Sequence, residues 1–160
     1  MYTFEEWKKN LIIVRGGGDI ATGTIYKLYQ SRFSVLVLEI ANPSCIRRTI
    51  SFCEAVFDKK VEVEGVTAKR AESLEDAFAI YGQGQIPVMI DENGSMIQEV
   101  QPPVVVDAIL AKRNLGTKIT DAPAVIGVGP GFCAGKDVDA VIETQRGHNL
   151  GRVIYEGEAA

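Results

Sequence analysis

An apolar run that passes straight into glycines and then into a helix-compatible segment constrains this chain more than any other stretch. Residues 11 to 23 read LIIVRGGGDIATG. Gly16, Gly18 and Ala21 fit G-x-G-x-x-G/A, in which the first glycine makes a tight turn, the second lets backbone approach a pyrophosphate, and the small third residue lets helix pack on strand. Gly17 lies inside the same turn and Asp19 opens the helix. Backbone N–H groups at such a helix start face a bound anion.

The continuation agrees in order and spacing. Residues 19 to 32 form the expected helix, and Ser34 to Ile40, SVLVLEI, read as a second buried strand that delivers an acid, with Glu39 placed 21 residues after Gly18. A carboxylate at that distance accepts hydrogen bonds from adenosine ribose hydroxyls, which favours a ribose without a 2′-phosphate. Strand, glycine turn, helix, strand and acid therefore point to a nucleotide-type ligand held by Gly16, Gly17, Gly18, Asp19, Ala21 and Glu39. Asp19 has two readings: it stands where a phosphate would approach, or it caps the helix and stabilises its positive end by about 1 kcal/mol. Arg15, just before the glycines, balances that charge. Arg47 and Arg48 either accept a 2′-phosphate or, more ordinarily, line a solvated helix face.

The rest of the chain repeats the alternation. Ile46, Ile50, Cys53 and Phe57 recur at near-helical spacing, which predicts a helix over 44–57. Val61 to Lys69 alternates like an edge strand or small hairpin, and Ser73 with Asp76 marks the start of a helix ending near Gly82. Ile86 to Ile90, Val104 to Asp107 and residues 124 to 129 are further strands, with a surface turn at 91–94. Val138 to Glu143 and Arg152 to Tyr155 are β-like runs without an intervening helix. The expected fold is α/β, a Rossmann-like, mostly parallel sheet with a β-rich C-terminal addition, forming one nucleotide-binding domain over 1–160.

Bulk properties exclude several classes. At 46% hydrophobic and 24% charged residues the composition is that of a globular protein, and no apolar run approaches the roughly 20 residues that span a bilayer. A net charge of −4 lacks the basic footprint of a nucleic-acid binder. The opening MYTFEEWKKN does not read as a secretory leader, and three cysteines without C-x-x-C spacing argue against a disulfide framework or a structural zinc site. These points predict a cytoplasmic protein with no membrane and no nucleic-acid partner; a homo-oligomer is the base-rate expectation.

A second glycine cluster, IGVGPGFCAGKDVD at 126–139, follows an apolar run. Gly129, Gly131 and Gly135, with Lys136, form either a second loop facing the other end of a ligand or a tight irregular connection. Asp107, Lys112 and Arg113 make a charged set beyond a strand, with a helix cap and a solvated basic face as the plainer reading. Cys133 is either a thiol activated by Lys136 and backbone N–H groups or an inert small side chain. Asp137, Asp139 and Glu143 reach a cation only if they converge, and His148 is a lone histidine, so no metal site is assigned. Neither G-x-S-x-G nor a P-loop is present, and no catalytic residue is assigned.

Five blocks in order, VRGGGDIATG (14–23), VLEIANPSCIRRTISFCEAVF (37–57), VEGVTA (63–68), VDAILAKRN (106–114) and APAVIGVGPGFCAGKDVDAVIETQRGHNLGRVI (122–154), resemble the selenium-dependent molybdenum hydroxylase system proteins. The resemblance implies an accessory or maturation factor for those enzymes that handles a nucleotide-bearing cofactor, NAD or a molybdopterin dinucleotide being the candidates. Its implied partners are the hydroxylase or its other maturation proteins, and members of that family continue beyond the GRVI-like block. Two other classes stay open: an NAD-dependent oxidoreductase using the same turn, and a non-catalytic assembly scaffold whose turn is empty.

Overall fold

In the computed structural model, which describes residues 1–160, the glycine turn lies at the centre of a nine-stranded sheet. The strands are β1 (Leu11–Arg15), β2 (Ser34–Glu39), β3 (Lys60–Val63), β4 (Val66–Arg70), β5 (Ile86–Ile90), β6 (Val104–Asp107), β7 (Ala124–Val128), β9 (Ala140–Ile142) and β10 (Val153–Ile154), while β8 (Cys133–Ala134) pairs separately with β11 (Gly157–Glu158). The order across the large sheet is β10-β9-β7-β6-β1-β2-β5-β4-β3. From β4 to β9 every pairing is parallel, and only the outer pairs β3–β4 and β9–β10 run antiparallel. The fold is thus α/β with a mostly parallel sheet and strand-rich additions.

The central strands are apolar on both faces because both are covered. β1 is buried at all five positions, as a strand between two helical layers must be. On one face α2 (Asp19–Gln30), the 3-10 turn at Phe52–Glu54 and α3 (Ala55–Asp58) bury Ala21, Ile25, Phe52 and Val56 against Ile12, Val14, Val35 and Val37. On the other, α1 (Phe4–Lys9), α4 (Leu74–Gly82) and α5 (Ser95–Val100) bury Trp7, Leu74, Ala77, Ile97 and Val100 against Leu11, Ile13 and Leu36. Trp7 is fully buried and packs on Phe78 and Tyr81 of α4 with ring centroids 5.5 and 6.1 Å apart. Ser73 caps α4 by accepting the Asp76 N–H, as the sequence predicts. The 61–69 run, read as an edge strand or a small hairpin, is a hairpin that turns at Glu64 and Gly65 and forms the sheet edge β3–β4.

Two elements depart from the sequence reading. The helix expected over 44–57 is instead a pair of 3-10 turns, Arg48–Ile50 and Phe52–Glu54, and the single turn of α3. Most of its apolar stripe turns outward: Ile46 is 96% exposed and Ile50 and Phe57 are exposed, so that of the four only Cys53 is buried, beside Phe52. Tertiary contacts displaced the helix, since the Cys53 N–H donates to the Gly17 carbonyl and the Phe52 N–H to Thr22 Oγ1. The second departure is the stretch from 108 to 123, where the anticipated helix cap and basic helical face give way to an irregular crossover with Leu110 and Lys112 at positive φ. The six-residue helices α1 and α5 are too short to leave a strong periodic signal.

Candidate functional site

The neighbours of β1 are β2 on one side and β6 on the other, and the chain reaches them by connections that diverge. The carboxyl ends of β1 and β6 therefore flank the topological switch point of the sheet, the place where open α/β sheets take ligands. Gly16 sits beside it with φ +96°, and a Cβ there would lie 2.8 Å from the Ala108 carbonyl oxygen. Gly17 is nearly as confined, its missing Cβ falling 3.1 Å from the Cys53 nitrogen, but Gly18 faces open space. The three glycines thus divide their work: two let the turn close against its neighbours and the third leaves the approach to α2 clear.

At that approach the N–H groups of Gly18 and Asp19 have no acceptor within the chain. Asp19 accepts the Ile20 N–H at 2.9 Å through Oδ1, and its Oδ2 lies 3.9 Å from Arg47 Nε. The carboxylate is therefore a local cap beside the turn, and Arg47, not Arg15, balances it. Arg48 is engaged with Glu54 at 2.9 Å. Ala21 is buried under α2, as the third position of the motif requires.

Glu39 ends β2 beside the turn. Its Oε1 accepts the Gly17 N–H at 3.2 Å and its Oε2 the Ile40 N–H at 3.3 Å. Burial pushes its pKa above the usual carboxylate range, with those two N–H groups opposing the shift. A carboxyl whose pKa is higher in the folded state contributes fully to stability below its unfolded pKa, and that contribution is lost as pH rises through the raised value. Glu39→Gln keeps an acceptor for Gly17 and has no charge to desolvate. Its unfolding free energy in urea should therefore gain on that of the parent as pH goes from about 4 to 7; parallel pH profiles for the two proteins would show that the burial of this carboxylate carries no cost.

Asp107 and Arg15 lie opposite each other in the β1–β6 register, on the face away from α2. Both are buried, at 1% and 5% exposure. They are joined by Thr117: its hydroxyl donates to Asp107 Oδ2 at 2.6 Å and accepts from an Arg15 terminal N–H at 3.0 Å. Asp107 Oδ1 accepts the Ile109 N–H and the other Arg15 terminal nitrogen donates to the Glu92 carbonyl. Asp107 is accordingly a member of an interior network. Lys112 and Arg113 are exposed on the crossover and do not join it. Thr117, which completes the network, stands in a Gly-Thr-Lys loop with no motif to mark it.

The second glycine cluster does meet the crossover, by backbone contact. Gly131 has φ +107° and a Cβ there would fall 2.6 Å from Arg113 Cα; at Gly129 it would fall 2.6 Å from the Leu110 side chain. Gly135, also at positive φ, forms the turn after β8 together with exposed Lys136. Cys133 is half-buried in β8, paired with Glu158 of β11. Asp137, Asp139 and Glu143 each spend carboxylate oxygens on main-chain N–H groups, of Cys133, of Val125, and of Gln145 and Ala160 respectively. Those N–H groups hold the Glu143 carboxyl below the usual range.

Cys45 and Cys53, which the odd cysteine count left unpaired, have their sulfurs in contact, with Cα atoms 7.3 Å apart. The 3-10 turns fold residue 45 back over residue 53, a proximity that eight residues of helix would not produce.

No protein-family model matches the chain. No solved structure matches it. The sequence is 53% identical over 147 residues to "Uncharacterized protein YqeB" of Escherichia coli (strain K12), an alignment covering 92% of this chain and 27% of the relative. The chain thus spans about a quarter of the length of the curated relative it matches. No helix is long and apolar enough to cross a membrane.

Proposed function

We propose that this chain binds a nucleotide or nucleotide-bearing cofactor at the Gly16–Asp19 turn and acts as part of a cytoplasmic accessory factor in the maturation of selenium-dependent molybdenum hydroxylases. The observation that carries the binding site is the pair of unpartnered Gly18 and Asp19 N–H groups at a twelve-residue helix start, with open space over Gly18 and Glu39 at the end of the adjacent strand. Phosphate oxygens take the free amides, the helix start favours their charge, and Glu39 accepts from the ribose hydroxyls. The maturation role rests on the five resembling sequence blocks. NAD and a molybdopterin dinucleotide are the ligands to try first, and the hydroxylase or its maturation proteins are the partners to seek.

Gly18→Val tests the site, because a Cβ there meets no atom of the fold within 4 Å and the branched side chain enters the phosphate path. A ligand at 100 times its Kd stabilises the parent by about 2.7 kcal/mol, whereas a hundredfold weaker site leaves about 0.4 kcal/mol. The expected result is a thermal shift with one nucleotide of a panel of NAD+, NADP+, FAD, AMP and molybdopterin cytosine dinucleotide, lost in Gly18→Val. An undiminished shift in the variant would place the ligand elsewhere. No shift with any nucleotide would favour the empty-turn scaffold, and reduction of NAD+ with a metabolite would favour the oxidoreductase.

A further inference from the structure

On the face of the sheet away from the glycine turn, α5 and the crossover between β6 and β7 leave a recess of about 150 Å³ lined by Arg15, Asn93, Ser95, Gln98, Lys118 and Asp121, among others. Arg15 is 5% exposed, yet no carboxylate oxygen lies within 4.0 Å of it. A guanidinium carries five N–H donors, and this one uses a terminal nitrogen on Thr117 and the other, at a long 3.4 Å, on the Glu92 carbonyl. Asp107 reaches it only through the Thr117 hydroxyl. Gly94, at φ +68°, keeps the space beside the guanidinium clear, since a Cβ there would sit 3.3 Å from Arg15 Nε. Lys118 adds an exposed ammonium at the rim, and the acid of the lining, Asp121, is engaged by the Lys118 N–H at 2.9 Å.

The recess does not stand alone. It shares Gln98, Lys118 and Asp121 with a groove of about 610 Å³ that continues between α5 and residues 118–123, past Gln101 and Thr120. That groove mixes the polar side chains of Gln98, Gln101 and Thr120 with the apolar surface of Ile97, Ala122 and two prolines. A buried cation with spare donors, opening onto this groove with a second cation at its mouth, is suited to a ligand with an anionic head and a hydrogen-bonding body.

We propose that the Arg15 recess is a binding site for a compact oxyanion, the phosphate or carboxylate group of a small polar metabolite whose remainder lies along the α5 groove. The site is separate from the glycine turn, so its occupancy does not depend on nucleotide binding there. Lys118 steers and holds the oxyanion from the rim, Arg15 supplies the forked donors, and Gln98 contacts the part of the ligand that enters the groove.

Inorganic phosphate and sodium acetate are titrated separately against the whole chain at constant ionic strength, following the thermal midpoint and the Arg15 Nε–H signal in 1H–15N spectra. Saturable changes in both are expected with at least one anion, and which anion acts tells phosphate from carboxylate. Lys118→Ala, at an exposed position, should leave the midpoint without added anion unchanged and weaken binding about 3- to 10-fold; Gly18→Val should not alter it. Exclusion of phosphate from protein surface also raises the midpoint, but without saturation and equally in every variant. A change of that kind, an unmoved Arg15 signal with both anions, or a shift lost in Gly18→Val and retained in Lys118→Ala would overturn the proposal.

Discussion

Asp107→Ala should cost about 3–5 kcal/mol of unfolding free energy, the range for removing one partner of a buried charged network. The substitution leaves Arg15 without the carboxylate it reaches through Thr117, the Thr117 hydroxyl without its acceptor and the Ile109 N–H unsatisfied. Each of these groups sits at the junction of β1, β6 and the crossover, so the loss should spread through the carboxyl edge of the sheet. Urea unfolding of the single variant beside Arg15→Met/Asp107→Leu separates the effects. The double variant should lose less than the sum of its singles, because no buried charge is left unpaired, although the Thr117 hydroxyl and the Ile109 N–H still lose their partners. If Asp107→Ala stayed within about 0.5 kcal/mol of the parent, as an ordinary surface change does, the network would have no structural role and the residue would be free to serve a ligand.

The second large effect is expected at Gly131. Its φ of +107° is unfavourable to any other residue, and its absent Cβ would fall within 2.6–2.9 Å of the Arg113 backbone. Backbone cannot rotate away as a side chain can, so Gly131→Ala should cost about 3 kcal/mol or more, left-handed strain and overpacking together. Gly18→Ala is the control. It has open space and an ordinary extended backbone at φ −66°, ψ −175°, and should stay within about 1 kcal/mol. Equal losses at the two positions would mean that the crossover gives way to a Cβ at 131, and that the second glycine cluster is a free loop instead of a packed junction.

These two cases show how differently the sites were legible. The Gly16–Ala21 turn and Glu39 could be read directly, because strand, turn, helix, strand and acid are contiguous and their mutual distances are set by local geometry. The structure adds that Gly17 donates its N–H to Glu39, a contact the spacing did not specify. Asp107 looked like a ligand group for the same reason, an acid at the end of an apolar run. What the run could not reveal was that Arg15, at the end of another, stands opposite it across a parallel pair. Parallel partners are joined by long crossovers, so the register that makes them neighbours leaves no trace in local spacing.

The amino-acid sequence by itself did not mark the small β8–β11 pair, but it determined the α/β class, the strands of the large sheet, the glycine turn between β1 and α2, the capped start of α4 and an edge strand or hairpin over 61–69. All of these follow from short-range hydrophobic period, capping and turn chemistry. Tertiary structure alone decided the fate of 44–57, where apolar spacing promised a helix but hydrogen bonds to Gly17 and Thr22 held the backbone in 3-10 turns. It also decided that Gly129 and Gly131 pack on the crossover, that Cys45 meets Cys53, and that Arg15 is buried facing a polar recess. Each of these depends on contacts between segments far apart along the chain or on backbone bonds that compete with local propensity, and a one-dimensional pattern records neither.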